Sequence, residues 1–325
     1  MTTWKSRLWF AIRLGFSVIL LWFAFEPIDW SALLDASQEL SAGWLLVALM
    51  LIIASNTIAG LRWAWIGRHA GLLQSWRRYV VVYFAGGLIN QGLPSTLGGD
   101  TYRAVQSARH QRVAKGPALR YGTLSVILDR GIGLLSNVLL GAAGLILGGL
   151  LLTPWAPKAG WAIATLLAIG LLVAGFLLKT PLVERLLARV LNLLRLPHGK
   201  AAIQSVFGWP SNIMQITVGL TIHLLTLGCF AACLKAFGAS VPFEAIMIGM
   251  PALTLLMMLP ISISGWGLRE TTLSAVLLLW DVPASTTVLA SVSYGLIVVI
   301  CYLPAAWFLV RNRPPSVRPA PDTSL

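Results

Sequence analysis

Apolar stretches long enough to cross a bilayer fill most of this sequence, and they limit its fold more than any other feature. The clearest stretches cover residues 44–66, 121–152, 161–178, 213–237 and 288–310. A membrane-spanning α-helix needs about 20 predominantly apolar residues. Hydrophobic residues make up 57% of the chain and charged residues 11%, and the mean hydropathy of +0.80 lies outside the range of ordinary soluble domains. We therefore predict an all-α polytopic membrane protein.

Positive charge is concentrated in the short loops between these stretches, and the net charge is +13. This distribution sets the orientation of a membrane protein and does not indicate nucleic-acid binding. The expected acidic partner is the lipid surface. Lys5, Arg7 and Arg13 flank an apolar run that ends at Phe25, and no small-residue cleavage site follows it. The sequence thus predicts a retained first span with a cytoplasmic N-terminus.

The last apolar stretch is also followed by basic residues, Arg311, Arg313 and Arg318. The C-terminus is therefore predicted to lie in the cytoplasm as well, and the proline-rich residues 313–325 to form a disordered tail. Residues 179–200 carry an apolar stripe and separate arginines, which is typical of a helix that lies on the inner leaflet. Together these features predict a multi-pass protein of a bacterial inner membrane.

One interrupted segment occurs twice. The segment L-P-S-T-L-G-G-D-T-Y-R at residues 93–103 returns at residues 259–269 as L-P-I-S-I-S-G-W-G-L-R, so both copies read L-P-x-x-x-x-G-x-x-x-R. A continuous helix would not tolerate this proline and glycine easily. Interrupted hydrophobic segments at matching places in two halves are typical of transporter sites. We predict two related halves, roughly residues 44–152 and 213–310.

The first interrupted run, residues 79–93, is short and has basic residues on both sides. A single crossing would separate these charges across the membrane, so a re-entrant hairpin is favoured. The charge pattern places the second hairpin on the opposite face. The sequence predicts about six full spans plus two re-entrant hairpins in an inverted repeat, within one domain of residues 1–312; eight or nine spans stay open as an alternative. The predicted hairpin tips contain Pro94, Gly98, Gly99, Pro260, Gly265 and Gly267.

Several charged side chains lie inside or beside the predicted membrane zone. An ionised group near the bilayer centre costs roughly 2.5–3.5 kcal/mol on insertion scales, so these groups should pair or line a wet cavity. One interpretation is that Asp129–Arg130 and Arg269–Glu270 are ion pairs that lock helices or edge residues of the cytoplasmic face. The other is an arginine-rich pocket for an anionic head group. The candidate head-group residues are Arg103, Arg130, Arg269, Ser95, Thr96 and Ser264, and the candidate coupling or pairing carboxylates are Asp100, Asp129 and Glu270.

The cysteines and one histidine have simpler expected roles. Cys229 and Cys233 share one face of an apolar helix and Cys301 lies in another, so buried packing is favoured over a disulfide or a metal site. His223 is alone in an apolar stretch, where packing or a hydrogen bond is favoured over proton relay.

Three segments resemble the flippase-like transmembrane domain of bacterial lysylphosphatidylglycerol synthases. They are L-P-S-T-L-G-G-D-T-Y-R at 93–103, I-L-D-R-G-I-G-L-L at 127–135 and P-I-S-I-S-G-W-G-L-R-E at 260–270, and the resemblance covers roughly residues 10–310. In the bifunctional members this domain is associated with moving aminoacylated phosphatidylglycerol across the membrane, and it also occurs alone. The positions that match the family pattern are Asp100, Arg103, Asp129, Arg130, Gly265, Arg269 and Glu270.

The chain departs from that pattern at one position. The resemblance implies an arginine after the tyrosine of the final span, where this chain has Tyr294-Gly295. Because that cation is missing, the resemblance does not extend to the identity of the head group.

These observations and the resemblance predict a lipid translocase and not an enzyme. The expected substrate is an anionic or aminoacylated phospholipid, or a polyprenyl-phosphate lipid. No metal-spaced histidine cluster or nucleotide-binding glycine loop occurs in the sequence, and no cofactor is expected. Two alternatives stay open: a non-transporting partner of a lipid- or glycan-modifying enzyme, and an intramembrane lipid-phosphate transferase with Asp100 or Asp129 as base. A homo-oligomer stays open as well.

Overall fold

A computed structural model describes residues 40–92, 97–109, 115–151, 198–258 and 264–311, together with residue 262 and isolated positions between 15 and 26 and between 185 and 196. Regular structure in these residues is helical throughout. The helices are α1 (Ala42–His69), α2 (Trp76–Gly92), α3 (Leu97–Ala108), α4 (Lys115–Leu151), α5 (Gly199–Phe207), α6 (Ser211–Ala236), α7 (Phe243–Leu256), α8 (Leu268–Leu277), α9 (Ala284–Tyr302) and α10 (Ala305–Arg311). A short 3₁₀ turn, Leu278–Trp280, joins α8 to α9.

Four of the described helices are long and apolar enough to cross a membrane: α1, residues Ala118–Gly148 of α4, α6 and α9. These correspond to four of the six predicted full spans, and they confirm a multi-pass membrane protein. The predicted span at residues 161–178 and the tail after residue 312 lie outside the described residues, as do most of the predicted first span and most of the predicted surface helix at 179–200.

The last predicted span, residues 288–310, is divided in the structure. Helix α9 starts at Ala284, directly after Pro283, and ends at Tyr302; α10 is a separate helix. Pro304 has no backbone N–H to donate and cannot continue the helix that precedes it. The apolar stretch is continuous in the sequence, and this proline is why the helix is not.

Helices α1 and α6 run antiparallel through the centre of the molecule. The backbone N–H of Ser41 donates to the carbonyl of Ala236 at 2.8 Å at one end, and the Ser55 hydroxyl donates to the carbonyl of Ile222 at 3.0 Å near the middle. Both helices also end in the same way. A glycine with positive φ follows each by two residues, Gly71 at 85° and Gly238 at 74°, a conformation that favours glycine.

Contacts among eight of the helices form a regular set. Every contact between two of these eight helices has a counterpart when α1, α2, α3 and α4 are exchanged in order for α6, α7, α8 and α9. For example, α4 packs on α7 and α9 packs on α2. The α4–α7 contact is close because Gly144 faces Met247; a Cβ at Gly144 would lie 2.7 Å from the Cβ of Met247.

The cysteines and His223 have the roles that the sequence predicts. Cys229, Cys233 and Cys301 are unpaired, buried and part of one hydrophobic cluster around α6 and α9. The Nε2–H of His223 donates to the carbonyl of Gly133 at 2.9 Å, which joins α6 to α4. These residues therefore hold the helices together.

Candidate functional site

Two interrupted helices bring the candidate site together. Helix α2 ends at Gly92 and α3 begins at Leu97; α7 ends at Leu256 and α8 begins at Leu268. The breaks lie where the repeated segment predicts them. Four predicted tip residues lie outside the described residues: Pro94, Ser95, Thr96 and Pro260.

Glycines let the chain turn tightly at the start of α3 and α8. The backbone N–H of Gly99 donates to Oδ1 of Asn90 at 2.7 Å, and a Cβ at Gly99 would overlap the carbonyl oxygen of Gly86. Before α8, Gly265 and Gly267 have φ of 79° and 81°. Gly98 lies in the first turn of α3. Glycine is therefore required at 99 by close backbone approach and favoured at 265 and 267 by backbone conformation.

The first ion cluster joins α1, α3 and α4. Oδ1 of Asp129 accepts from Nη2 of Arg62 at 2.9 Å, and Oδ2 accepts from Nη2 of Arg103 at 2.6 Å. Asp100 pairs with Arg103 at 3.3 Å and with Arg130, whose Nε and Nη2 each lie 2.9 Å from a carboxylate oxygen. Three guanidinium groups thus share two carboxylates, which leaves one positive charge in excess.

Aromatic rings fix Arg103 at the centre of this cluster. Its guanidinium carbon lies 4.4 Å from the centre of the Trp63 ring and 4.6 Å from that of Tyr83. A cation held over aromatic faces gains further stabilisation when it is desolvated. Arg103 is buried, whereas 51% of the side-chain surface of Arg130 is exposed.

The second ion cluster is built by α8 and α9. Nη2 of Arg269 donates to Oε1 of Glu270 at 2.8 Å, and Nε of Arg269 lies 3.1 Å from the Ser291 hydroxyl. The Ser291 hydroxyl donates to the same Oε1 at 3.0 Å, and the backbone N–H of Gly267 donates to Oε2 at 2.7 Å. Glu270 is fully buried, so this network compensates its desolvation.

The structure explains why this chain has a glycine at 295, where the family resemblance implies an arginine. A Cβ at Gly295 would overlap the guanidinium group of Arg269. The side chain that the family resemblance implies at 295 cannot coexist with Arg269 in this position. Arg269 occupies that space, and its guanidinium also lies 4.7 Å from the Trp266 ring centre.

A cavity of about 490 Å³ lies between the two clusters. Among the described residues, the charged ones that line it are Asp100, Arg103, Arg130 and Arg269. The polar lining residues include Tyr83, Asn90, Gln91, Thr226, Thr254, Ser262, Ser264, Tyr294 and Tyr302. The apolar lining residues include Leu97, Met250, Leu253, Met257, Met258 and Val298. The cavity is therefore lined by cationic, polar and apolar side chains.

A hydrogen bond at the cavity wall joins the two interrupted segments. The Ser264 hydroxyl donates to Oε1 of Gln91 at 2.9 Å. Gln91 lies in the last turn of α2, and Ser264 lies in the turn before α8. The two broken regions, 173 residues apart in sequence, thus meet at the cavity.

The structure brings most of the predicted site residues together. Asp100, Arg103, Arg130, Arg269, Ser264 and Gly265 line the cavity, whereas Asp129 and Glu270 pair with the arginines behind its wall. The arginines are therefore ion-paired, Asp129 with Arg62 and Arg103 and Asp100 with Arg130, and Arg103, Arg130 and Arg269 also face a cavity. Sequence reasoning missed Arg62, which lies within an apolar stretch and whose partner is 67 residues away. A lone arginine within a predicted span is the signal that could have found it.

A cavity with paired arginines, between broken helices of a helical bundle, defines a polytopic membrane protein with a polar site among its helices. The chain belongs to the family of the lysylphosphatidylglycerol synthase TM region, whose model matches residues 10–306. This match confirms the family that the three motifs indicated, and it points to a function related to membrane lipids. No curated protein and no solved structure matches the chain.

Proposed function

We propose that this protein is a lipid translocase that moves an anionic or aminoacylated phospholipid, or a polyprenyl-phosphate lipid, across a bacterial inner membrane. The observation that carries the proposal is the cavity between the two interrupted helices, which is lined by Arg103, Arg130 and Arg269 together with apolar residues. Planar guanidinium groups bind phosphate oxygens through two parallel hydrogen bonds. An amphiphile with a phosphate head group matches both kinds of lining residue.

The size of the cavity supports entry of the head group alone. Its volume of about 490 Å³ lies within the range of roughly 300–1,000 Å³ that is usual for small-molecule sites. A whole diacyl lipid is larger than such ligands, so the acyl chains stay in the bilayer while the head group crosses. Transport is then downhill or coupled to an ion gradient, and Asp100 is the carboxylate that lines the cavity among the described residues.

An inverted repeat is the second part of the proposal. When α1 to α4 are replaced in order by α6 to α9, and the reverse, the set of contacts among these eight helices stays the same. Helix α1 is also antiparallel to α6. Equivalent helices that run in opposite directions are the mark of inverted repeats, whose broken helices form the substrate site near the midplane. The two interrupted segments would then be re-entrant hairpins that enter from opposite faces, with both chain termini in the cytoplasm.

Site-directed labelling tests this topology. Ser75 before α2 and Ser240 before α7 are exposed and take equivalent places in the two halves, and the native cysteines are buried. We expect Ser75→Cys to react with a membrane-impermeant thiol reagent from the cytoplasmic side, and Ser240→Cys from the outer side. Labelling of both from the same side would rule out the inverted repeat. The unsubstituted chain serves as the background control.

Lipid exchange between leaflets tests the translocase. In proteoliposomes with a panel of fluorescent phospholipids and a polyprenyl phosphate, we expect the protein to exchange one head-group class. Arg130→Gln and Arg269→Gln should each lower that rate at least about tenfold, because each removes a charge-assisted contact worth about 1.5–3 kcal/mol. The assay is the loss of fluorescence when a quencher reaches the outer leaflet.

Arg120→Gln is the matched control for this assay. Arg120 lies on α4 with Arg130, is exposed and does not line the cavity, so exchange should be unchanged. If the folded wild-type protein exchanges no lipid of the panel, the translocase proposal is wrong, and a partner role or a lipid-phosphate transferase takes its place. We propose that the protein itself catalyses no chemical step.

A further inference from the structure

We infer that Arg62, which does not line the cavity, gives the cavity its affinity for a singly charged phosphate head group. The inference rests on the proposed function, since it concerns the same cavity. It assigns a positioning and electrostatic role to a residue one layer behind the wall. Arg62 acts through Asp129, the carboxylate that it shares with Arg103.

The geometry makes Asp129 a shared partner. Nε and Nη2 of Arg62 donate to Oδ1 at 3.1 and 2.9 Å, and Nη2 also reaches the backbone carbonyl of Asp129 at 3.2 Å. The other carboxylate oxygen, Oδ2, accepts from Arg103 at 2.6 Å. Side chains of all three residues are at most 6% exposed. One buried negative charge is therefore divided between two buried positive charges.

The charge of the cluster depends on Arg62. With Arg62 present, three guanidinium groups face two carboxylates; without it, Arg103 and Arg130 would be balanced by Asp129 and Asp100. Within the described part of the chain, Nη1 of Arg62 and Nε of Arg103 are buried and have no hydrogen-bond partner. Arg103 lines the cavity, so an anion bound there can accept from its unpartnered Nε, whereas Nη1 of Arg62 keeps its charge behind the wall.

The excess charge acts on the cavity because Arg103 is held there. Trp63 and Tyr83 flank its guanidinium group, and its alkyl chain lies close to Gly86 of α2. Arg103 is thus held at the cavity wall. In a medium of low dielectric constant, the charge of Arg62 is felt by an anion bound there even without contact.

Binding of a soluble lipid tests this role. The purified full chain in detergent is titrated with dihexanoyl phosphatidylglycerol, which carries one negative charge, and Kd is measured by calorimetry. Arg62→Gln keeps a hydrogen-bond donor for Asp129 and removes the charge, so Kd should rise roughly tenfold or more. The double variant Arg62→Gln/Asp129→Asn restores one excess positive charge, so its Kd should return toward the wild-type value.

The double variant separates an electrostatic role from a structural one. If Arg62 only holds α1 against α4, removal of its partner as well cannot restore binding, and an equally weak double variant overturns the inference. Wild-type affinity in Arg62→Gln also overturns it. Should Arg62→Gln not fold, Arg62→Met and the double variant give the same comparison. Failure of the proposed function is distinct, because the wild-type protein would then neither bind this lipid nor exchange any lipid between leaflets.

Discussion

Gly295→Ala is expected to abolish lipid exchange, although it adds only a methyl group and no charged residue lies near position 295 along the chain. The new Cβ would occupy the space of the Arg269 guanidinium group. Arg269 would have to move, and its contacts with Glu270 and Ser291 would break. Glu270 is fully buried, so loss of its partner costs about 3–5 kcal/mol. We expect the rate of lipid exchange to fall at least about a hundredfold, which corresponds to a free-energy change of about 2.7 kcal/mol or more.

Gly131→Ala is the matched control. Gly131 also lies in a membrane helix next to a cavity arginine, and the nearest atom to an added Cβ is Cζ of Phe207 at 4.0 Å. Alanine is favoured over glycine in a helix by up to about 1 kcal/mol, so stability should be equal or slightly higher and exchange unchanged. Equal exchange by Gly295→Ala and Gly131→Ala would show that Arg269 is not needed in its observed position.

Asp129→Asn is expected to destabilise the protein more than the exchange of a carboxylate for an amide at any other position of the site. The carboxylate is 3% exposed and holds both Arg62 and Arg103. Asparagine keeps the shape but leaves the buried Arg62 without a counterion and Arg103 with only its longer contact to Asp100, at 3.3 Å. Removal of one partner of a buried ion pair costs about 3–5 kcal/mol. The measurement is the unfolding free energy in detergent, or the unfolding temperature where unfolding is irreversible.

The same chemical change at an exposed site controls for the general effect of losing a carboxylate. Asp281 lies in the turn between α8 and α9, is exposed and has φ of 57° and ψ of 25°. Asparagine tolerates this left-handed conformation as well as aspartate does. Asp281→Asn should therefore leave stability within about 0.5 kcal/mol of wild type. A similar small effect at Asp129 would mean that the cluster is hydrated and not held by its ion pairs.

The spans and the broken segments were predictable because they depend on local composition. Long apolar stretches specify helices that can span a bilayer, and the proline and glycines of the repeated segment specify where a helix stops. Among the described spans, the prediction differs from the structure at the end of the last one, where Pro304 interrupts an otherwise apolar run. Hydropathy averages over a window and does not register a single missing N–H.

The site was predictable as a set of residues but not as a set of partners. The cost of burying charge indicated that Asp129, Arg130, Arg269 and Glu270 must pair or line a cavity. It did not indicate that Asp129 pairs with Arg62 and Arg103 while Arg130 pairs with Asp100. These partners come from three helices, and their distances in sequence carry no information about contact.

The sequence by itself determined the class of the protein, the helix breaks and the residue types of the site, because each follows from the free energy of placing apolar, charged or helix-breaking groups in a membrane. Only the tertiary structure decided that Arg62 shares Asp129 with Arg103, and that Gly295 makes room for Arg269. Both depend on which helices pack together. Packing brings together side chains up to 246 residues apart, as in the hydrogen bond from Tyr302 to Asn56, and no local pattern encodes such a contact.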